Sequence, residues 1–239
     1  MIILGLDFET TGLNFESDRI IEVGAVLWDT ATASPVQIYN TLVVHPDAPP
    51  ITAEIEGLTG INQAMIDGYG QPASEVFFAL TELILKAQFI VAHNGLGFDK
   101  PMLDAQYLRR PCVPSSVALP TWIDTCLDVP YPPRITTRKL VHLAAEHGFV
   151  NPFAHRAVFD VLTMLRVLAA YSIDEVVLSS QQPLVNLVAV VSFDDKDKAK
   201  ARGYRWNGET RQWVRSLKAH LVPREIEECG FRVDVLTTV

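Results

Sequence analysis

The stretch Ile2-Ile-Leu-Gly-Leu-Asp-Phe-Glu9 decides the fold. It is an apolar run of strand length that ends in two acids. Because side chains alternate along a strand, Asp7 and Glu9 lie on one face of it. The apolar residues around them predict a central, buried strand, where adjacent carboxylates repel each other and lose hydration. Either a divalent cation compensates both charges, or the pair lies hydrated at a frayed strand end.

The pattern downstream of this strand predicts a mixed α/β sheet with helices packed on it. Two runs of apolar residues follow at hairpin-like spacing, and helical periodicities then alternate with short apolar strands. The further strands are predicted at residues 20–28, 36–44, 89–92 and 122–124. The helices are predicted at residues 73–86, 99–109, 137–147 and 157–171.

The composition is that of a globular protein. Of the 239 residues, 49% are hydrophobic and 20% are charged, a balance that a disordered chain does not have. The net charge of −8 excludes a protein that holds nucleic acid by bulk electrostatics alone. No apolar run approaches a membrane span, and the acid at residue 7 argues against a signal peptide, so we expect no membrane partner.

Three cysteines, Cys112, Cys126 and Cys229, are too few and too far apart for a disulfide framework or a zinc site. They are typical of a reducing compartment, so we expect a cytoplasmic protein.

The charge is unevenly distributed along the chain. Residues 1–179 carry a net charge of −10, whereas residues 180–239 carry +2. The change falls at a short polar stretch, 179–183, that ends in proline and is a plausible linker. We therefore expect an N-terminal region at 1–179 and a small basic C-terminal module at 184–239.

One further acid lies in an apolar helix. Asp160 is surrounded by apolar residues, and a lone acid in such a helix is rarely unpaired. It is either a functional carboxylate or the partner of Arg156 or Arg166. His155, just before the helix, could present an imidazole from a flexible segment, or could have no chemical role.

A fourth acid, Asp99, follows a short strand and a glycine-containing turn. It could be a helix N-cap, a position at which aspartate is favoured. His93 and Asn94, at the strand end, could hold this turn by side-chain hydrogen bonds.

Taken in order, three motifs resemble those of the DEDDh family of 3′→5′ exonucleases. They are Asp7-Phe-Glu-Thr-Thr-Gly12, His93-Asn-Gly-x-x-Phe-Asp99 and His155-Arg-Ala-x-x-Asp160. Residues 51–61, 123–125 and 139–140 resemble further landmarks of the family. The second motif has two residues between Gly95 and Phe98 where many members have one, a form similar to that of the animal three-prime repair exonucleases.

The resemblance implies the ribonuclease H-like exonuclease fold and a two-metal mechanism with Mg²⁺ or Mn²⁺, two ions per active site. It implies that Asp7 bridges the ions, that Glu9 and Asp160 complete one of them, and that Asp99 holds the other through water. His155 is then the general base that takes a proton from the attacking water, a role that suits histidine as a residue type.

The same resemblance implies a pocket closed around a free 3′ end. Thr10 and Leu13 would contact the last nucleotide, and Ile61 would pack on its base. The alternative for Leu13 and Ile61 is that both are core residues.

The C-terminal module is predicted to contain a strand at 185–193, a short helix at 194–201 and a tight turn at 203–208. Its pattern resembles a small domain of uncertain role that is attached to prokaryotic and mobile-element DNA-processing proteins. Its basic and aromatic residues suit single strands, because aromatic rings stack on bases and cations meet phosphates. The candidate contacts are Trp206, Trp213, Lys200, Arg205 and Arg211. Alternatively, the two tryptophans form the core of the module.

The sequence thus predicts a metal-dependent 3′→5′ exonuclease acting on nucleic acid with a free 3′ end, with DNA as the favoured substrate. The alternatives are an exoribonuclease on the same fold and a non-catalytic nucleic-acid-binding protein. The C-terminal module could also mediate a homodimer or bind a replication or repair partner.

Overall fold

The computed structural model describes residues 1–109, 119–132 and 134–236. Its larger sheet has six strands in the order β4-β3-β2-β1-β5-β6. Neighbouring strands β1, β2 and β3 are antiparallel, whereas β5 lies parallel to β1 and to β6. The strand bounds are β1 Ile2–Thr10, β2 Ile20–Asp29, β3 Ser34–Val44, β4 Gln71–Pro72, β5 Phe89–Ala92 and β6 Thr121–Asp124.

Helices cover both faces of this sheet, which confirms the predicted mixed α/β class. Their bounds are α1 Ala53–Thr59, α2 Gln63–Tyr69, α3 Ala73–Ile84, α4 Asp99–Arg109, α5 Leu140–Glu146, α6 Ala157–Leu168 and α7 Ile173–Ser180. None of the helices in the described ranges has the length and hydrophobicity needed to cross a membrane.

Strand β1 is buried on both faces, as its sequence predicts. Leu4, Leu6 and Phe8 pack into one hydrophobic cluster with α3. Ile3 lies in a second cluster that is formed largely by α6. Asp7 and Glu9 continue the α6-facing side of β1, so the two acids point toward this helix.

Two glycines allow α6 to lie directly on the sheet. A Cβ atom at Gly24 would lie 2.4 Å from backbone atoms of Ala157 and Val158, the first residues of α6. A Cβ atom at Gly5 would lie 2.7 Å from the side chains of Val161 and Leu165. Since Gly24 pairs with Asp7 across the two strands, the close approach brings the start of α6 beside the acids of β1.

The C-terminal module forms a separate four-stranded antiparallel sheet in the order β10-β7-β9-β8. Its core cluster includes Leu187, Tyr204 and Val222. The elements are β7 Leu184–Val190, α8 Lys196–Ala201, β8 Arg205–Asn207, β9 Gln212–Lys218, α9 Val222–Glu228 and β10 Arg232–Leu236. The predicted tight turn at 203–208 is wrong in part, because strand β8 occupies its middle.

Several boundaries in the N-terminal region differ from the prediction; α6, for example, ends at Leu168 and not at residue 171. The helix expected at 137–147 begins only at Leu140, because the Arg138 carbonyl accepts a hydrogen bond from His93 and its guanidinium lies 4.5 Å from the Tyr131 ring centroid. The connection is shorter than the polar stretch at 179–183. Helix α7 continues through Ser180, so residues 181–183 separate it from β7.

The two short helices between β3 and β4 were not predicted from the sequence. Both carry recognisable N-caps: the Thr52 side chain accepts from the Ile55 N–H, and the Asn62 side chain accepts from the Met65 N–H. Gly60 ends α1 in the left-handed conformation, φ 71°. These capping residues were the available signal.

Of the cysteines, Cys126 and Cys229 are free thiols, whereas Cys112 lies outside the described residues.

Candidate active site

Three of the predicted acids converge where α6 crosses β1. Asp7, Glu9 and Asp160 each offer a carboxylate oxygen, and these oxygens lie within 4.8 Å of one another. Glu9 is 8% exposed, and β1 is an interior strand of the sheet. The alternative of a hydrated pair at a frayed strand end therefore does not fit the structure.

The fourth acid reaches the same place from α4. Asp99 is the first residue of that helix and is 2% exposed. Its Oδ1 accepts a hydrogen bond of 3.2 Å from the backbone N–H of Phe8, which lies between Asp7 and Glu9. Asp99 therefore contacts β1 at the acids, beyond any role at the start of its own helix.

The clustered charges change the protonation of the acids. Burial, followed by the charges of Asp160, Glu22 and Asp99, raises the pKa of Glu9 to about 8. Burial also raises the pKa of Asp99 to about 8, against the hydrogen bond from Phe8. For Asp7, burial and then the neighbouring carboxylates raise the pKa well above its ordinary value. Without a bound cation, the cluster resists full ionisation.

Asp160 is held in position by two donors. Asn151 Nδ2 donates to Oδ1 at 2.7 Å, and the backbone N–H of His155 donates to Oδ2 at 2.8 Å. Burial raises the pKa of Asp160, and the hydrogen bond from His155 opposes that shift. Asn151 was missed from the sequence, where its place in the loop before the third motif was the only signal.

His155 itself is exposed and adopts a left-handed backbone conformation, φ 62°. Its backbone N–H donates a hydrogen bond to Asp160, and this bond fixes the position of the histidine backbone relative to the acid. The structure thus places His155 beside the carboxylates as an exposed residue.

Arg156, which the sequence offered as a partner of Asp160, pairs with a different acid. Arg156 makes a salt bridge of 2.8 Å to Glu22, a β2 residue that is fully buried and lies opposite Glu9. Glu22 also accepts the N–H of Ala157 at 3.0 Å. This pair anchors the first turn of α6 over β2. Glu22 could not be identified from the sequence, because its partner is 134 residues away.

The second motif forms a loop whose polar groups are mostly structural. The His93 ring contacts Thr125 Oγ1 at 2.8 Å and the Arg138 carbonyl oxygen at 2.6 Å, and burial lowers its pKa. Asn94 adopts φ 65°, and its carbonyl accepts from the N–H groups of Gly97 and Phe98. The His93 contacts match the structural interpretation, whereas Asn94 holds the turn through its main-chain carbonyl and not through its side chain.

Of the three residues predicted to line the nucleotide pocket, one is exposed and two are buried. Leu13 is 79% exposed on the loop after β1, so it is not a core residue. Thr10 is buried and donates to the Gly12 carbonyl at 2.6 Å. Ile61 is fully buried in a cluster with Leu42, so it offers no surface to a base, and the core alternative fits it.

In the C-terminal module, Trp206 and Trp213 face each other across β8 and β9, with ring centroids 5.7 Å apart. Trp213 packs against the core cluster of the module, whereas Trp206 is 54% exposed. The core alternative therefore fits Trp213 and not Trp206, and Tyr204 is a fully buried aromatic residue of the module.

Comparison with known proteins places both parts of the chain. Residues 4–168 match the family model described as Exonuclease, and residues 185–236 match one described as a domain of unknown function. DNA polymerase III PolC-type from Mycoplasma pneumoniae is 30% identical over 166 residues, which cover 67% of this chain and 11% of that protein. The Thermotoga petrophila PolC-type polymerase is 32% identical over 123 residues, 44% of this chain and 8% of that protein. The chain thus spans about a tenth of the length of these relatives.

Solved structures show the same fold. E. coli Exonuclease I in complex with a dA16 oligonucleotide has a TM-score of 0.64 at 12% identity, covering 97% of this chain and 68% of that one. Its zinc-bound complex with single-stranded DNA has a TM-score of 0.66 at 13% identity, with the same coverage. The nuclease domain of 3′hExo, a DEDDh family member bound to rAMP, has a TM-score of 0.56 at 21% identity, covering 71% and 90%.

The match over residues 4–168 defines the class of protein. The chain belongs to the exonuclease family.

Proposed function

We propose that this chain is a metal-dependent exonuclease that removes nucleotides from the 3′ end of DNA. The observation that carries the proposal is the convergence of Asp7, Glu9 and Asp160 on one point, with Asp99 at the adjoining backbone. Asp7 and Glu9 have no ion-pair partner among the described residues, in contrast to Glu22 nearby.

The donor set fits divalent ions. The three carboxylates supply oxygen ligands, which Mg²⁺ and Mn²⁺ prefer. The raised pKa values of Asp7 and Glu9 reflect uncompensated negative charge, which a bound cation would neutralise. Asp7, Glu9 and Asp160 would hold one ion, and Asp7 with Asp99 would hold a second. Two such ions, when bound ~3.5–4 Å apart, stabilise the charge on the phosphoryl oxygens and orient in-line attack.

The residues of the chain supply the remaining functions. His155 takes the proton of the attacking water, since it is exposed beside the acids and its backbone is fixed to Asp160. Asn151 and the Glu22–Arg156 pair keep Asp160 and the start of α6 in place. The exposed Leu13 contacts the terminal nucleotide, and Thr10, whose hydroxyl donates to the Gly12 carbonyl, holds the start of the loop that carries Leu13.

DNA is favoured over RNA as the substrate because the E. coli Exonuclease I structures hold DNA oligonucleotides and the curated relatives are DNA polymerases. The rAMP bound to 3′hExo supports the exoribonuclease alternative. A cytoplasmic location for this protein is consistent with its free thiols.

We further propose that the chain divides into units at 1–179 and 184–239, and that the C-terminal module grips the single strand upstream of its 3′ end. Trp206 stacks on a base with Trp213 as its support, while Arg211 and Lys200 meet phosphates. Both cations are exposed and have no ion-pair partner among the described residues. Arg205 alternates to the opposite face of β8, so it contributes least to a strand lying over Trp206.

The test is cleavage of 5′-labelled oligonucleotides, DNA and RNA, single- and double-stranded, with Mg²⁺, with Mn²⁺ and with chelator. We expect a ladder that shortens from the 3′ end of single-stranded DNA, no cleavage in chelator, and none by Asp7→Ala. The Asp7→Ala variant should be as stable as the wild type in chelator or more so, because one like charge is removed from the cluster. Near-normal cleavage by Asp7→Ala would show that the metal site is wrong.

A further inference from the structure

A lysine of the C-terminal module is buried against the N-terminal region. Lys218, the last residue of β9, is 4% exposed, and its Nζ lies 2.8 Å from Oδ1 of Asp128, which is 1% exposed. The same Nζ donates to the carbonyls of Gln182 at 3.2 Å and Ser180 at 3.4 Å. Three oxygens thus surround the ammonium group, and the buried charge is neutralised across the two parts of the chain.

Asp128 also forms a hydrogen bond with a second acid, Asp124. Its other oxygen, Oδ2, accepts the backbone N–H of Asp124 at 2.8 Å. The Asp124 carboxylate in turn accepts the N–H of Asn94 at 3.0 Å and that of Leu96 at 3.1 Å. Asp124 therefore holds the loop of the second motif, in which Asn94 adopts a left-handed conformation that favours glycine.

That loop leads directly into Asp99, the acid that contacts β1 between Asp7 and Glu9. A continuous series of polar contacts thus runs from Lys218 through Asp128 and Asp124 to the loop that carries Asp99. The Lys218–Asp128 ion pair, which is buried, links the module to this series.

We propose that Lys218 is a positioning residue for the active site: the C-terminal module completes the support of the Asp99 loop through its buried pair with Asp128. This rests on the proposed function in so far as Asp99 is taken as a metal ligand. The module is then a structural part of the catalytic unit as well as a surface for the substrate.

The test uses the full chain without substrate. Lys218→Met removes the ammonium and leaves Asp128 buried without its cation. We expect faster amide hydrogen exchange at Asn94 and Leu96, and a Mn²⁺ affinity weaker by about tenfold, the lower end for loss of an outer partner of a metal ligand. Lys218→Met/Asp128→Asn removes both charges yet keeps an oxygen for the Asp124 N–H, so it should restore both readouts toward wild type.

The control is Arg202→Met. It breaks an ion pair that lies wholly inside the module, that of Arg202 with Glu225 at 2.7 Å. Arg202 is more exposed than Lys218, and Glu225 keeps Arg215 as a second partner at 2.9 Å. Equal losses in Arg202→Met, or unchanged exchange and affinity in Lys218→Met, would overturn the proposal. If Lys218→Met does not fold, Lys218→Arg keeps the charge with a different head group and should show the same changes to a smaller degree; wild-type values would again overturn it.

The two proposals can fail separately. If the wild type binds no Mn²⁺, or if Asp7→Ala binds it equally well, the metal site is wrong. The exchange rates of Asn94 and Leu96 still report on the Lys218 link in that case.

Discussion

Among single residues, the buried acids differ in what neutralises them. Glu22 is fully buried and paired with Arg156, so it serves the structure of α6. Glu9 lies opposite Glu22 on the neighbouring strand and has no such partner among the described residues. The contrast separates a structural acid from one available to a cation, although both are glutamates in buried strands.

The role of His155 can be tested by removing its ring. His155→Ala should reduce the cleavage rate by about 10²–10⁴-fold, the usual contribution of a general base. Mn²⁺ affinity should persist, because the four carboxylates remain and the N–H at residue 155 can still donate to Asp160. The measurements are single-turnover cleavage and metal titration. A loss of affinity as large as that of Asp7→Ala would instead make His155 a ligand.

The raised pKa values predict how stability without metal depends on pH. The pKa of Glu9 is about 8 in the folded chain and near its ordinary value when unfolded, so the folded state binds the extra proton between about pH 4.5 and 8. In chelator, the free energy of unfolding should therefore fall as pH rises through this window, on the order of a few kcal/mol for the cluster. Saturating Mg²⁺ should reduce the fall.

Thermal unfolding at pH 5 to 8, with chelator and with Mg²⁺, measures this effect. The charged groups around Glu9 are Asp7, Asp99, Asp160, Glu22 and Arg156. Glu9→Gln should flatten the slope in chelator, because it removes the carboxyl whose pKa is raised to about 8. A slope that Glu9→Gln leaves unchanged would contradict the assignment.

Among the secondary-structure elements, the packing of α6 on β1 and β2 builds the site. Asp160 reaches Asp7 and Glu9 because Gly24 and Gly5 leave no side chain between the helix and the sheet. The Glu22–Arg156 pair then sets the first turn of the helix over β2. The geometry of the acids therefore depends on two residues that have no side chain.

Gly24→Ala tests this packing. The added Cβ atom would lie 2.4 Å from backbone atoms of α6, which cannot move independently of the helix. We expect a loss of about 1–3 kcal/mol in the free energy of unfolding and a lower Mn²⁺ affinity, because Asp160 is displaced. Denaturant unfolding and metal titration measure the two effects.

Gly57→Ala is the control for that substitution. Gly57 lies inside α1, and nothing lies within 4 Å of the position that a Cβ atom would take there. Alanine at this position should therefore be neutral or stabilising by up to about 1 kcal/mol. Equal destabilisation by the two substitutions would show that the packing of α6 is not responsible.

In the whole molecule, the N-terminal region and the C-terminal module carry different kinds of side chains. The N-terminal region is acidic and holds the carboxylate cluster, whereas the C-terminal module carries the exposed Trp206 and the exposed cations Lys200 and Arg211. The buried Lys218–Asp128 pair joins them. A truncation after Gln182 would therefore disturb the N-terminal region as well as remove the module, and point substitutions test the module more cleanly.

Trp206→Ala should weaken the binding of a long single strand by ~1–3 kcal/mol, the contribution of one stacked base, without unfolding the module. Arg211→Gln should reduce the slope of log affinity against log salt by about 0.7, one phosphate contact on a single strand. Salt titration of binding and near-UV circular dichroism measure these effects on the same variants. Trp213→Ala should lower the stability of the module, since that ring packs on its core.

Unchanged affinity and salt dependence in Trp206→Ala and Arg211→Gln would remove the strand-gripping role. The module would then serve to support the Asp99 loop or to dock a partner protein.

The sequence by itself determined the long, strongly periodic elements and the candidate acids. Strand β1 and helix α6 follow from periodicity and residue type, because these depend on neighbours along the chain, whereas the short helices α1 and α2 were missed. The four acids were candidates because each is costly where the local pattern places it. The resemblance of the three motifs to those of the DEDDh exonucleases, and not the local pattern alone, selected these acids together with His155.

Only the tertiary structure decided how distant residues pair. It assigned Arg156 to Glu22, buried Ile61, exposed Trp206 and joined Lys218 to Asp128. The paired residues are far apart along the chain, and local pattern carries no information about which of several acids a base will meet. The packing of whole elements decides which acid a base meets. A buried unpaired charge is strongly unfavourable, so the base pairs with the acid that the fold brings within reach.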